Sequence, residues 1–265
     1  MRLFFLLALL TVAGTGCGQQ PQWRFIGTIQ DHNIPLGDTT ITARLTVYND
    51  TLFPFFLHLH HNEATADSTL HQYLGEQGGA VLMLLNNRQR NLSFTLSGKR
   101  FLADPNRIFT DSGTRQSLQL LSVYDSASAS ALKDFATQVL ALIPNSIPLI
   151  AVHNNTDKAY SILSYTANGA LAKDAALVYR NPSMDADDFV LTTHEGLFQY
   201  LKSNRINAVL QHNTLAGDDG SLSIVLGRKG HFYINIEAEH GHGKTQRALI
   251  NQVAAFVRQH LSAME

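Results

Sequence analysis

The chain has 265 residues, and 45% of them are hydrophobic, which suits one globular domain with a substantial core. Its 20 basic and 21 acidic residues nearly cancel and form no long run of one sign, so nucleic acid is not an expected partner. The single cysteine, Cys17, excludes an internal disulfide.

The first segment of the chain has the order of an export signal. A basic start and an apolar run over residues 3–13 lead to small residues at 14–16, directly before Cys17. The apolar run is about half the ~20 residues that a membrane-spanning helix needs. The small residues before Cys17 resemble the cleavage box of bacterial lipoproteins. We therefore expect a signal peptide over 1–16 and a lipidated Cys17 with a polar tether over 17–22. The protein would then sit in the bacterial cell envelope, held to the membrane and facing the periplasm, and a soluble secreted protein is the alternative.

No repeat or linker divides residues 23–265, which we interpret as one domain. Alternating or continuous apolar patterns predict strands over residues 23–29, 39–48, 53–60, 80–85, 147–152, 189–193, 208–211, 222–226 and 231–237. Apolar spacing near 3.6 residues predicts helices over 64–74, 129–143 and 245–261. Strands that alternate with helices indicate an α/β fold. We expect a single three-layer domain with a mostly parallel or mixed central sheet and helices on both faces.

Several predicted strands end in a side chain that can bind metal. In such folds, functional groups gather at the carboxyl ends of strands. His60 and Glu63 follow one strand at a spacing that can direct both toward one point, and His153 follows another. A catalytic zinc takes three protein ligands and keeps a position open for water. We therefore predict His60, Glu63 and His153 as ligands, with Glu237 left as the general base.

Other residues compete for these roles. His58 and His61 are rival ligands. His58 shares a strand face with His60, and one of these two side chains could be buried against a backbone carbonyl. Glu239 lies two residues after Glu237 and is its main rival as base. Glu239, His240 and His242 could bind a metal themselves.

Four further features of the sequence have a preferred interpretation that needs no ligand. Residues 243–245 read Gly-Lys-Thr, but they lack the earlier glycine of a phosphate-binding loop, so no nucleotide is expected. The acidic residues at 218–219 are interpreted as a solvated turn, with calcium binding as the alternative, and those at 185–188 as a loop or the start of a helix. Tyr160 and Tyr165 could donate a hydrogen bond to a substrate, although core packing is the preferred interpretation.

Four separated motifs give the chain a family resemblance. They are His60-His61-Asn62-Glu63, Arg100-Phe101 with Asp104-Pro105-Asn106-Arg107-Ile108-Phe109, Val152-His153-Asn154-Asn155-Thr156, and Ile236-Glu237. Their types and order resemble the zinc carboxypeptidase superfamily, in particular its aspartoacylase/succinylglutamate desuccinylase branch. Pro105 replaces the usual leucine, His61 replaces a glycine, and the spacing from Arg100 to Asn106 is about one residue shorter than in that branch.

The resemblance implies a role for each matching residue. His60, Glu63 and His153 would bind Zn²⁺, and Glu237 would activate water and then protonate the leaving amine.

The same resemblance assigns the substrate-binding side chains. Asn106 and Arg107 would hold the substrate carboxylate, and Arg100 would steady the oxyanion at the scissile carbonyl. The implied function is a zinc-dependent hydrolase that cleaves an amide bond next to a free carboxylate, either a carboxypeptidase or an N-acyl-amino-acid deacylase. Cell-wall peptides or small acyl-amino acids are the substrates expected in an envelope. The alternative is a non-catalytic envelope lipoprotein that binds a carboxylate-bearing ligand on the same fold.

Overall fold

The structure is a computed structural model that describes residues 27–262. The expected signal peptide, the lipidation of Cys17 and the tether over 17–22 lie outside the described residues, as does most of the strand predicted over 23–29. Within residues 27–262, no helix combines the length and the apolar content needed to span a bilayer.

The described residues form strands and helices that alternate along the chain. The strands are β1 (Gly27–Leu36), β2 (Thr39–Tyr48), β3 (Phe55–His58), β4 (Gly79–Leu85), β5 (Leu92–Leu96), β6 (Lys99–Ala103), β7 (Leu149–Asn155), β8 (Ala175–Tyr179), β9 (Phe189–Thr192), β10 (Ala208–Gln211) and β11 (Tyr233–Glu239). The α-helices are α1 (Ala64–Gln77), α2 (Asp111–Leu121), α3 (Ser126–Ala141), α4 (Glu195–Ser203), α5 (Leu222–Arg228) and α6 (Gly243–Ser262).

Nine strands form one mixed sheet in the order β1-β2-β4-β3-β7-β11-β9-β10-β8, and β5 and β6 form a separate hairpin. Strands β4, β3, β7 and β11 run parallel at the centre of this sheet. Antiparallel pairs flank them, with β1 and β2 on one side and β9 on the other. The predicted α/β fold with a mixed central sheet is therefore confirmed. The parallel centre brings the carboxyl ends of β3, β7 and β11 to one edge.

The central strands are buried on both faces, which makes the domain three-layered. On β3, Leu57 packs into a core that includes residues of α2, α3 and α5, whereas Phe56 packs on the opposite side with α1, α4 and α6. Side chains alternate between faces in a strand, so continuous apolar runs are needed where both faces are covered. Helix α6 contributes Leu249, Ile250 and Val253 to the second core, as its 3.6-residue spacing predicts.

The strand predicted over residues 222–226 is wrong, because this segment is helix α5. A short apolar run fits either element, and packing decides between them. Leu222 and Leu226 are four residues apart and enter the same core, as expected for one face of a helix. The side-chain oxygen of Asn106 accepts a hydrogen bond from the Leu222 N–H at 3.2 Å, which satisfies one free donor of the first turn.

The N-terminus of α2 gives a direct test of the local fold. The Thr110 hydroxyl accepts from the Gly113 N–H at 3.0 Å and donates to the Asp218 carboxylate at 2.7 Å. We expect Thr110→Ala to lower the free energy of unfolding by about 1 kcal/mol, because the helix loses its cap. Urea denaturation measures this change. Thr110→Ser keeps the hydroxyl and should retain most of the stability, and an equal loss in both variants would contradict the capping role.

Candidate metal centre

The proposed metal ligands meet at the sheet edge where β3 and β7 end. His60 and Glu63 occupy the turn between β3 and α1, which is closed by a 3.0 Å hydrogen bond from the Glu63 N–H to the His60 carbonyl. His153 lies in β7, and Glu237 is its partner in the parallel register with β11. Residues that the sequence places far apart are thus brought to one edge by the parallel centre of the sheet.

The three side chains approach one another pairwise in a triangle, with Glu63 facing His60 through Oε1 and His153 through Oε2. The Nδ1 atom of His60 lies 3.1 Å from Glu63 Oε1 and 3.1 Å from His153 Nδ1. His153 Nδ1 lies 3.1 Å from Glu63 Oε2. The three residues are at most 3% exposed and could hold a metal ion. Tetrahedral ligands at about 2.0–2.2 Å from one zinc ion are separated by roughly 3.3–3.6 Å, so the triangle has the size of such a site.

A carboxylate behind His60 fixes the ring for metal binding. His60 Nε2 donates to Asp104 Oδ1 at 2.8 Å, which turns Nδ1 toward Glu63 and His153. Asp104 is itself held by the Asn106 N–H at 2.8 Å. Asp104 lies within the second sequence motif, but the sequence did not predict a role for it.

The electrostatics of the triangle also fit a cation. Burial alone would lower the pKa of His60, but the carboxylates of Glu63 and Asp104 outweigh it and raise the pKa to about 9. Burial opposes the charge on Glu63, yet the two imidazoles hold its pKa well below the usual range. A buried carboxylate between two imidazoles is therefore arranged for positive charge, and the donor set of two nitrogens and one carboxylate is typical of zinc sites.

The two rival histidines lie elsewhere. His58 is buried and its Nδ1 donates to the Val152 carbonyl at 3.2 Å, and burial lowers its pKa to about 4. His61 Nδ1 accepts from the backbone N–H of Asn86 at 2.7 Å. Neither ring lines the cavity beside the triangle.

Glu237 lines the same cavity as the triangle and is only 6% exposed. Its Oε1 accepts from Asn235 Nδ2 at 3.0 Å, and burial raises its pKa above the ordinary value. The rival Glu239 is half-buried and is not among the residues that line the cavity. Glu237 therefore faces the cavity, whereas Glu239 lies outside it.

The cavity has a volume of about 610 Å³ and contains the predicted carboxylate-binding pair. Asn106 and Arg107 both line it, and Arg107 is half-exposed with Nη1 2.8 Å from the Asn106 carbonyl and 3.5 Å from Asp219. Tyr160 and Tyr165 line the cavity as well, with their hydroxyls 2.6 Å apart.

The structure does not bring Arg100 to the cavity. Arg100 is exposed on β6, where its Nε donates to the Ser93 hydroxyl at 3.1 Å, whereas its neighbour Phe101 is fully buried. The arginine beside the triangle is Arg90, from the loop between β4 and β5. Its Nη1 donates to Glu63 Oε1 at 2.8 Å, and it lines the cavity. Arg90 was not predicted as a site residue, since no motif or periodicity marks its loop.

Comparison with known proteins gives structural neighbours only. No family model and no curated protein matches the chain. Among solved structures, it is similar to a putative metallopeptidase from Shewanella denitrificans (13% identity, 86% of this chain and 84% of that chain, TM-score 0.45). It is also similar to an aspartoacylase family protein from Mesorhizobium loti (16% identity, 84% and 66%, TM-score 0.42).

A third such structure is a succinylglutamate desuccinylase/aspartoacylase from Rhodobacter sphaeroides (16% identity, 91% and 68%, TM-score 0.41). These names match the family that the sequence motifs resemble. At such identities and TM-scores the likeness assigns no activity.

Proposed function

We propose that the chain is a zinc-dependent hydrolase that cleaves an amide bond next to a free carboxylate. The observation that carries this proposal is the convergence of His60, Glu63 and His153 within one cavity that also holds the buried Glu237. The combination carries the proposal, because a metal-binding triad without a nearby buried glutamate, or a buried glutamate without a triad, also occurs in proteins of other functions.

His60, Glu63 and His153 would hold the zinc ion. Two imidazole nitrogens favour zinc over calcium or magnesium, which prefer sites made only of oxygen. When bound, zinc supplies Lewis acidity and makes a water molecule acidic near neutral pH.

Glu237 is proposed as the group that moves the proton. Its burial favours the protonated form, so the carboxylate can take a proton from water and later return it to the leaving amine. The bond from Asn235 to Oε1 holds the carboxyl group in place and leaves Oε2 for this transfer.

Three cationic or amide groups are proposed to bind the substrate. Arg107 offers its guanidinium to the substrate carboxylate, and its 3.5 Å contact with Asp219 is long enough to be exchanged for a closer one. The side-chain oxygen of Asn106 accepts from the Leu222 N–H, so its amide N–H groups are the ones that can donate to the substrate carboxylate. Arg90, beside Glu63, is proposed to stabilise the negative oxygen that develops on the scissile carbonyl.

The substrate and the location are parts of the same proposal. We propose small peptides or acyl-amino acids as substrates, cell-wall peptides among them. The export signal and lipidated Cys17 predicted from the sequence would place the enzyme at the envelope membrane.

The first test combines metal content with substrate selectivity. We expect the purified protein to bind zinc and to hydrolyse N-acetylated amino acids or dipeptides with a free α-carboxylate, but not their amidated counterparts. Removal of the metal with a chelator should abolish hydrolysis, and added zinc should restore it. His60→Ala should weaken zinc binding by at least about 100-fold.

His61→Ala is the matched control, because the neighbouring ring lies outside the cavity, and it should keep its zinc. Zinc binding without turnover of any of these compounds would favour the non-catalytic carboxylate-binding alternative. A protein without metal in which both variants behave like the wild type would overturn the proposal.

A further inference from the structure

A second group of oxygen ligands lies beyond the catalytic cavity. Strands β7 and β11 continue two residues past His153 and Glu237, to Asn155 and Glu239, which are partners in the parallel register. Asn155 and Glu239 therefore share a sheet face with the catalytic pair. The loop before β9 joins them, because Asn155 Nδ2 donates to the Asp187 carbonyl at 2.7 Å.

Three carboxylates converge at this point. Ligand oxygens of Asp157, Asp187 and Glu239 all lie within 4.8 Å of one another. They come from three separate segments: the loop after β7, the loop before β9 and the end of β11. Like charges so close repel each other unless a cation lies among them.

Two buried oxygens at this position have no donor within the described part of the chain. Asp187 is only 4% exposed; its Oδ2 accepts from the Lys158 N–H at 3.2 Å, while its Oδ1 is unpartnered. Asn155 is 8% exposed, and its Oδ1 is also unpartnered. Buried acceptors without donors are rare in native proteins and call for a bound ion or water. Burial and nearby carboxylates raise the pKa of Asp187, which agrees with an uncompensated charge.

We infer that Asp157, Asp187 and Glu239, together with the side-chain oxygen of Asn155, form a calcium site. Calcium binds oxygen ligands at about 2.3–2.6 Å, so two of its ligands lie at most roughly 4.6–5.2 Å apart, and oxygens within 4.8 Å of one another can share one ion. Three carboxylates and an amide oxygen are hard ligands, and water molecules would complete the coordination.

The neighbouring cations make only weak contacts with the cluster, and His242 Nε2 lies 3.7 Å from Glu239 Oε2. Lys158 Nζ lies 3.1 Å from Asp157, but both side chains are largely exposed, and such pairs are weak. A second possible group, Asp185, Glu239 and His242, shares Glu239 with the calcium site. The oxygen-only group is favoured because it contains Asp187 Oδ1, a buried acceptor without a donor, whereas the second group has no such atom among the described residues.

The calcium site would tie three segments together at the rim of the cavity, where Asn155 also lines the wall. A ligand that binds only the folded state raises its stability. Calcium is therefore inferred to stabilise the fold, whether or not the chain is a hydrolase.

The test uses thermal unfolding of the zinc-loaded protein, freed of excess zinc, in calcium chloride or magnesium chloride. At about 10 mM calcium, a dissociation constant of roughly 10⁻⁴–10⁻³ M should raise Tm by about 3–6 °C. Magnesium should give a smaller shift, because it demands tighter octahedral geometry. Asp187→Asn preserves the shape of the side chain and should remove the calcium shift.

Two variants serve as controls for the calcium shift. Asp111→Asn removes an exposed carboxylate on α2 that pairs with Lys133 and is not part of the calcium site. This variant should keep the full shift. His242→Ala should also keep it. An unchanged shift in Asp187→Asn, or its loss in His242→Ala, would overturn the inference. If Asp187→Asn does not fold, Glu239→Gln at the half-buried position provides the same comparison, with calorimetric titration as the second measurement.

Discussion

Glu237→Gln is expected to lower kcat by about 10³–10⁴-fold while zinc stays bound, because the amide cannot accept a proton from water. The substitution is nearly isosteric, and the glutamine carbonyl can still accept the hydrogen bond from Asn235 that Oε1 accepts now. The variant should be at least as stable as the wild type, because burial penalises the charged form of Glu237. Steady-state kinetics, zinc content and thermal unfolding measure the three effects.

The rival glutamate gives the sharpest comparison for this result. Glu239→Gln changes the same chemical group two residues along the same face of β11, outside the catalytic cavity. It should reduce kcat by less than about tenfold, since it is not expected to exchange a proton with the substrate. A large loss in Glu239→Gln together with an active Glu237→Gln would reverse the assignment of the base.

The metal triangle could be predicted from the sequence because it depends on features that patterns reveal. Apolar runs ending at His60 and at His153 predict parallel strands buried on both faces, and the carboxyl ends of such strands meet at one edge. The register of β7 and β11 then places Glu237 beside His153. Periodicity and strand direction predict the common edge, whereas the choice of these side chains as ligands and base also depended on the four motifs that resemble the zinc carboxypeptidase superfamily.

Other parts of the site could not be predicted, because tertiary packing decides them. Arg100 matches a family motif, but the segment between it and Asn106 is about one residue short, and a one-residue shift turns a strand side chain to the opposite face. Here Phe101 takes the buried face and Arg100 the exposed one. Asp187 is buried beside β7, whose Asn155 donates to its carbonyl, and its acidic loop sequence does not indicate this contact.

The second large effect is expected at Arg90. Arg90→Ala should lower kcat/KM by about 10²–10³-fold, because a cation that stabilises the developing oxyanion is lost. Arg100→Ala should have no effect on the kinetics, since that side chain is exposed on β6 and bonded to Ser93. The two variants compare arginines ten positions apart in the chain, of which only Arg90 donates to Glu63.

Zinc content and the separation of kcat from KM decide how Arg90 acts. Because Arg90 donates to the ligand Glu63, a purely structural role would appear as loss of zinc, with activity restored when zinc is added in excess. Stabilisation of the oxyanion predicts instead a low kcat at full zinc occupancy, and Arg107→Ala, which removes the proposed contact to the substrate carboxylate, should mainly raise KM. If Arg100→Ala loses activity and Arg90→Ala does not, the family motif would have identified the correct arginine, and the hairpin of β5 and β6 would have to approach the cavity when substrate binds.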